Sequence, residues 1–74
     1  MNTYSTRYEA LMREIVVPIE ATRGVIDAHA EYDINKIVTE TIASYEVDDR
    51  RTFVAFVEDD DAFWAIVERN RYKN

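Results

Sequence analysis

A chain of 74 residues that contains one glycine and one proline has few places to turn sharply. Glycine reaches positive φ without steric cost, and proline presets the turns it enters. Average usage would supply about five glycines and about four prolines at this length. Few, long elements are therefore expected, and helices meet that constraint more readily than a sheet of many strands. The length allows a single domain, residues 1–74. For this mass, apolar burial and lost conformational entropy each come to roughly 110 kcal/mol and nearly cancel. Such a chain folds with little margin, which a partner or a second copy would widen.

Apolar spacing places the helices. Tyr8, Leu11, Met12, Ile15, Val16 and Ile19 recur as one helical stripe. Thr6-Arg7-Tyr8-Glu9 reads as a capping box at its start. Pro18 has no N–H and clashes with the Glu14 carbonyl, so the helix is expected to end or kink near Val17. The apolar spacing nevertheless continues through Ile19, Thr22 and Ile26 toward Ala30, with Gly24 as the other candidate stop. A second helix is expected after Asp33, a natural N-cap with Tyr32 and Ile37 at hydrophobic-staple positions. Its stripe of Ile34, Ile37, Val38, Thr41, Ile42 and Tyr45 ends near Glu46. A last helix is expected from Asp59 or Asp60 to about Arg71, burying Phe63, Trp64 and Val67. Between them, residues 52–57 are rich in β-formers, yet Phe53, Phe56 and Val57 also share a helical face. The spacing favours a short helix there, with an extended segment as the alternative. The expected fold class is all-α, a small bundle of three to four helices, with residues 50–57 extended as the variant.

Charge and residue types narrow the function. The chain has no cysteine, which excludes disulfides, thiolate metal sites and cysteine nucleophiles together. Fifteen acidic against nine basic residues give a net charge of −6, the wrong sign for a nucleic-acid-binding surface. Residues 1–25 and 50–74 are each neutral. Residues 26–49 carry Asp27, Glu31, Asp33, Glu40, Glu46, Asp48 and Asp49 against Lys36 alone, so the whole excess lies there. A one-sign patch steers and selects a partner of opposite charge, although it also serves simply to keep a small protein soluble. No apolar run is longer than the six residues 62–67, too short to span a membrane, and no basic-then-apolar leader opens the chain. A cytoplasmic protein with no membrane contact is expected.

Candidate chemical sites are sparse. Asp27, His29, Glu31 and Asp33 alternate and would share one face of a strand, a possible metal set; on a helix they splay apart, and Asp33 serves better as a cap. Glu58 to Asp61 is dense in carboxylates but lacks the glycine and spacing of a calcium loop, and helix capping explains it. The single histidine, His29, has no nucleophile motif around it, and one glycine cannot make a phosphate-binding loop. No enzyme activity, metal or cofactor is expected. Tyr, Trp and Arg are preferred interface anchors, and Tyr4, Trp64 and Tyr72 are the aromatic candidates for that role.

The stretch Glu31-Tyr32-Asp33-Ile34-x-x-Ile37-Val38-x-Glu40-x-Ile42, followed by Asp60-Asp61-x-Phe63-Trp64-x-x-Val67-Glu68-Arg69, resembles small uncharacterised acidic proteins of actinobacterial genomes, phages and plasmids. The likeness covers roughly residues 31–70. It implies an accessory role on a mobile element and brings no catalytic or binding residues with it.

The expected function is a non-enzymatic protein–protein interaction module or small regulatory accessory protein, binding a basic protein or a second copy of itself. Its candidate contact residues are Asp27, Glu31, Glu40, Glu46, Asp48, Asp49, Tyr4, Trp64 and Tyr72. The alternative is a nucleic-acid mimic that blocks a phage- or plasmid-directed defence enzyme. A DNA-binding regulator would require Arg50, Arg51, Arg69, Arg71 and Lys73 to converge on one face.

Overall fold

The computed structural model describes residues 2–72. Strand β1 (Thr3–Tyr4) leads into helix α1 (Arg7–Leu11), a π-helical turn (Met12–Val16) and helix α2 (Val17–Arg23). A single-turn helix α3 (Ala28–Glu31) precedes α4 (Ile34–Thr41). Strands β2 (Ile42–Val47) and β3 (Arg50–Ala55) follow, and α5 (Asp60–Arg69) closes the chain. The three strands form an antiparallel sheet in the order β1-β3-β2. The fold is therefore α+β. This corrects the all-α bundle and the wholly helical domain expected from the sequence.

Two local features account for the correction. The second helix stops at Thr41, not near Glu46. Thr39, Thr41 and Ile42 are β-branched and stiff at χ1, which weakens a helix. The Thr41 carbonyl accepts the Phe56 N–H at 2.9 Å, where a continuing helix would have offered it the Tyr45 N–H. Ile42 and Tyr45 thus belong to a strand, and residues 50–55 pair with it, not forming the short helix that spacing favoured. The second feature is the turn. Asp48 and Asp49 sit at φ 51° and 64°, the two positive φ values that a two-residue I′ hairpin requires. Aspartate enters this region more readily than most other side chains. A glycine count therefore understated the number of tight turns.

The first helix bends the rule for proline by a different route. It runs through Pro18 because the preceding turn is π-helical, with the Val17 N–H bonded to the Met12 carbonyl. An i→i+5 turn adds one residue. It relieves the position where proline would meet the usual acceptor, and it shifts the buried face upstream. Ala10 and Leu11 are buried, whereas Tyr8, expected in the stripe, is exposed. The helix does not continue to Ala30. Gly24, at φ 67°, terminates it in the left-handed conformation.

The remaining helix starts hold as expected. Thr6 Oγ1 accepts the Glu9 N–H at 3.1 Å, and Asp33 accepts the Lys36 N–H at 3.2 Å. Asp59 caps α5 through the Asp61 N–H at 3.1 Å. Ile15, Ile19, Ile37 and Val67 are fully buried, so the first helix, α4 and α5 meet on them. Tyr4, Ile42, Phe53 and Ala55 of the sheet pack against this core. The C-terminal residues tie back to the start of α4, with Asp33 N–H bonded to the Asn70 carbonyl and Tyr72 N–H to the Glu31 carbonyl, each at 2.9 Å.

Two substitutions separate these turns in one urea-denaturation experiment. Gly24→Ala is expected to destabilise by about 1 kcal/mol through backbone strain alone, because an added Cβ meets nothing within 4 Å. Asp49→Gly, which creates the favoured Asp-Gly hairpin pair, is expected to stabilise by about 0.5 kcal/mol.

Candidate functional site

The hairpin β2–β3 carries the most distinctive surface. Residues directly opposite in an antiparallel pair share a face. One face holds Tyr4, Ile42, Ser44, Glu46, Arg51, Phe53 and Ala55, and its proximal half seals the core. The other face holds Thr3, Ala43, Tyr45, Val47, Arg50, Thr52 and Val54. None of its residues belongs to the core cluster. Tyr45 is 45% exposed and Val47 49%, and Phe56, just past the strand, is 49% exposed. An open sheet face normally alternates to polar residues. This one mixes Thr3, Arg50 and Thr52 with an aromatic ring and three small or branched apolar side chains. Isolated exposed apolar residues are ordinary, so Ile26, alone in the loop after Gly24, carries less meaning than this contiguous set.

The outer edge of β2 is equally open. β2 is at the end of the strand order and has β3 on one side only. Narrow hydrogen-bonded pairs alternate with wide pairs along an antiparallel ladder. The Phe56-to-Thr41 bond sets the phase, so Ala43, Tyr45 and Val47 bond inward to β3. Ile42, Ser44 and Glu46 direct their backbone groups outward. The Ile42 N–H is taken by the Val38 carbonyl, at the end of α4. The N–H groups of Ser44 and Glu46 and the carbonyls of all three face solvent.

The hairpin tip gathers charge. Glu46 pairs with Arg51 at 3.0 Å across the strands, and the same arginine approaches Ser44 Oγ at 3.4 Å. Asp48 and Asp49 make the turn and have no hydrogen-bonded or ionic side-chain partner among the described residues.

The other sequence-derived candidates are scattered. Glu40 lies half-buried, bonded to Arg69 and, at 2.7 Å, to the buried Asn70 amide, so it ties α4 to α5. Asp27 caps α3 through the His29 N–H at 3.1 Å, and Glu31 is exposed on the same short helix near Tyr72. Trp64 stacks edge-on against Phe63 at 5.1 Å and lies under the Arg23 guanidinium at 4.7 Å. Tyr4 packs on the core in β1. Of the nine candidates, Glu46, Asp48 and Asp49 share the hairpin, while Asp27, Glu31 and Tyr72 surround α3. Tyr45 and Val47 were missed by sequence reasoning. Their signal was the two-residue alternation of Ala43, Tyr45 and Val47 against Ser44 and Glu46, which the helical stripe through Ile42 and Tyr45 obscured.

The remaining readings of chemistry find their residues elsewhere engaged. Asp27 and Asp33 spend their carboxylates on caps, and no three His, Asp or Glu side chains among the described residues converge as a metal site. Arg51 and Arg69 are in ion pairs on different elements, and Lys73 lies outside the described residues. A cleft of about 490 Å³ lies between Glu14, Glu58, Asp60, Phe63 and Trp64, and His29 is not part of it. No helix among the described residues is long and apolar enough to cross a membrane. No family model, curated protein or solved structure matches the chain.

Two measurements follow. Glu40→Ala is expected to cost about 1 kcal/mol, because it removes one of the two acceptors of the buried Asn70 amide, whose other N–H stays bonded to the Ile66 carbonyl. Glu31→Ala should stay within about 0.5 kcal/mol. Chemical denaturation of both checks that one acid is structural and the other is not. The Tyr4 hydroxyl is pushed above its ordinary value, first by burial and then by the charge and hydrogen bonding of Glu14 beside it. The fold thus favours the neutral phenol. Its contribution is complete below pH of about 10 and is lost as pH climbs through the raised value. Thermal melts from pH 8 upward should fall more steeply for the native chain than for Tyr4→Phe.

Proposed function

We propose that the protein is a non-enzymatic interaction module that binds another protein through the β2–β3 hairpin. The observation that carries this reading is the outward sheet face on which Ala43, Tyr45 and Val47 are exposed and Val54 half-buried, none of them packed in the core among the described residues. The accessible surface, 5130 Å², exceeds the roughly 4,700 Å² usual for this mass. The radius of gyration, 12.5 Å, likewise exceeds the roughly 11.3 Å of a compact 74-residue chain. Both reflect an elongated shape, 44 × 22 × 19 Å, that leaves more surface exposed than a compact chain would. Asp48 and Asp49 at the tip favour a basic partner by steering its approach. The nucleic-acid-mimic reading draws less support, because Glu40 and Glu46 are neutralised by arginines and Asp27, Asp33 and Asp59 cap helices.

Cross-linking and capture with the double variant Tyr45→Lys, Val47→Lys tests the reading. Partners held by the native protein should be lost at least about tenfold, as expected when interface anchors are removed, with the circular dichroism spectrum unchanged. Equal capture by both proteins would contradict it.

A further inference from the structure

Resting on the reading that the hairpin binds a protein, we infer that the outer edge of β2 takes an extended segment of alternating basic and apolar residues as a fourth strand. The edge offers the N–H and carbonyl groups of Ser44 and Glu46 and the carbonyl of Ile42, at every second residue. That repeat, about 6.8 Å along a strand, matches another extended backbone. Strand edges are usually guarded by lysine, proline, a bulge or an inward charge. β2 carries no lysine, no proline and no bulge in its register with β3. Its one charge, Glu46, is already paired with Arg51.

The side chains of an added strand alternate between the two faces of the sheet. One set lies beside Ala43, Tyr45 and Val47 and is therefore apolar. The other lies beside Ser44 and the Glu46–Arg51 pair, with its end near Asp48 and Asp49, and it is the charge of these two aspartates that makes it basic. A second copy fits the same edge less well. Antiparallel registers centred on Ser44 or Tyr45 bring Asp48 against residues 40–42 of the other molecule. That is the C-terminal end of α4, the negative end of its dipole, where Glu40 also sits. Pairing two chains of net charge −6 adds to the repulsion.

The test uses a blocked seven-residue peptide of alternating lysine and valine, and its fully N-methylated counterpart, which keeps the side chains but donates no backbone hydrogen bond. Titrated into the intact protein and followed by amide resonances, the first peptide should shift Ser44 and Glu46 and slow their exchange. Ser44→Pro removes an outward N–H without breaking a backbone bond to β3 and should weaken binding about tenfold relative to Ser44→Ala, which loses only the hydroxyl contact with Arg51. The N-methylated peptide should bind no better than that, and it probes the edge with the protein unchanged. Asp48→Asn with Asp49→Asn should weaken binding at least about threefold at low salt. Equal binding of both peptides, indifferent to Ser44→Pro, would overturn strand addition and leave the interaction reading to its own variant test. Failure of the first peptide to bind at millimolar concentration would also overturn it. So would a native dimer that Ser44→Pro dissociates, which would assign the edge to a second copy.

Discussion

One hydrogen bond decides what this chain becomes. The carbonyl of Thr41 accepts the N–H of Phe56, fifteen positions downstream, where an uninterrupted helix would have used Tyr45. From that point α4 becomes β2, the register with β3 follows, and the hairpin tip falls on Asp48 and Asp49. Thr41 is well placed to make the switch. It is buried, and its hydroxyl bonds back to the Ile37 carbonyl at 2.8 Å, so its polar groups are satisfied without further helix. Had the helix run on to Glu46, Ile42 would still lie near the core, but Ala55 would have no strand to pair with and Phe53 only Tyr4 of β1. Glu46 and Arg51 would lose the cross-strand partnership that brackets the tip.

The sheet divides its labour by face. The inner side contributes Tyr4, Ile42, Phe53 and Ala55 to a core shared with three helices. The outer side contributes nothing to it. A protein of this size has little stability to spare, so an uncovered apolar face is a cost that calls for an explanation, and a binding role supplies one. The charge distribution supports the same division. The acidic middle third of the sequence does not become an acidic plate. Its carboxylates cap helices at Asp27 and Asp33, tie α4 to α5 at Glu40, pair with Arg51 at Glu46, and at Asp48 and Asp49 have no ionic partner among the described residues.

Much of the helical framework was legible in the sequence. Thr6, Asp33 and Asp59 are caps because their short oxygen-bearing side chains meet free N–H groups, and Gly24 ends its helix because glycine alone adopts positive φ freely. The sheet was not legible, for physical reasons. Ile42 and Tyr45 continue the 3.6-residue stripe of α4, although three positions apart they fall on opposite faces of a strand, and local spacing cannot see the Phe56 N–H that decides between the two. The turn used aspartates where glycine is the usual signal. The π-helical turn before Pro18 moved the buried face from Tyr8 to Ala10, a shift invisible to any fixed period. Of the candidate site, the acids at the tip were found and the aromatic and branched residues beside them were not, since Tyr45 had been placed on a buried helical face.

Amide hydrogen exchange across residues 42–47 tests the central claim most directly. A β2 strand bonded to β3 on one side only requires alternation. The N–H groups of Ala43, Tyr45 and Val47 should be protected, those of Ser44 and Glu46 should exchange rapidly, and Ile42 should be held by Val38. Continuous protection from Ile42 to Glu46, with helical contacts between residues three and four apart, would contradict the strand, the open face and the edge together.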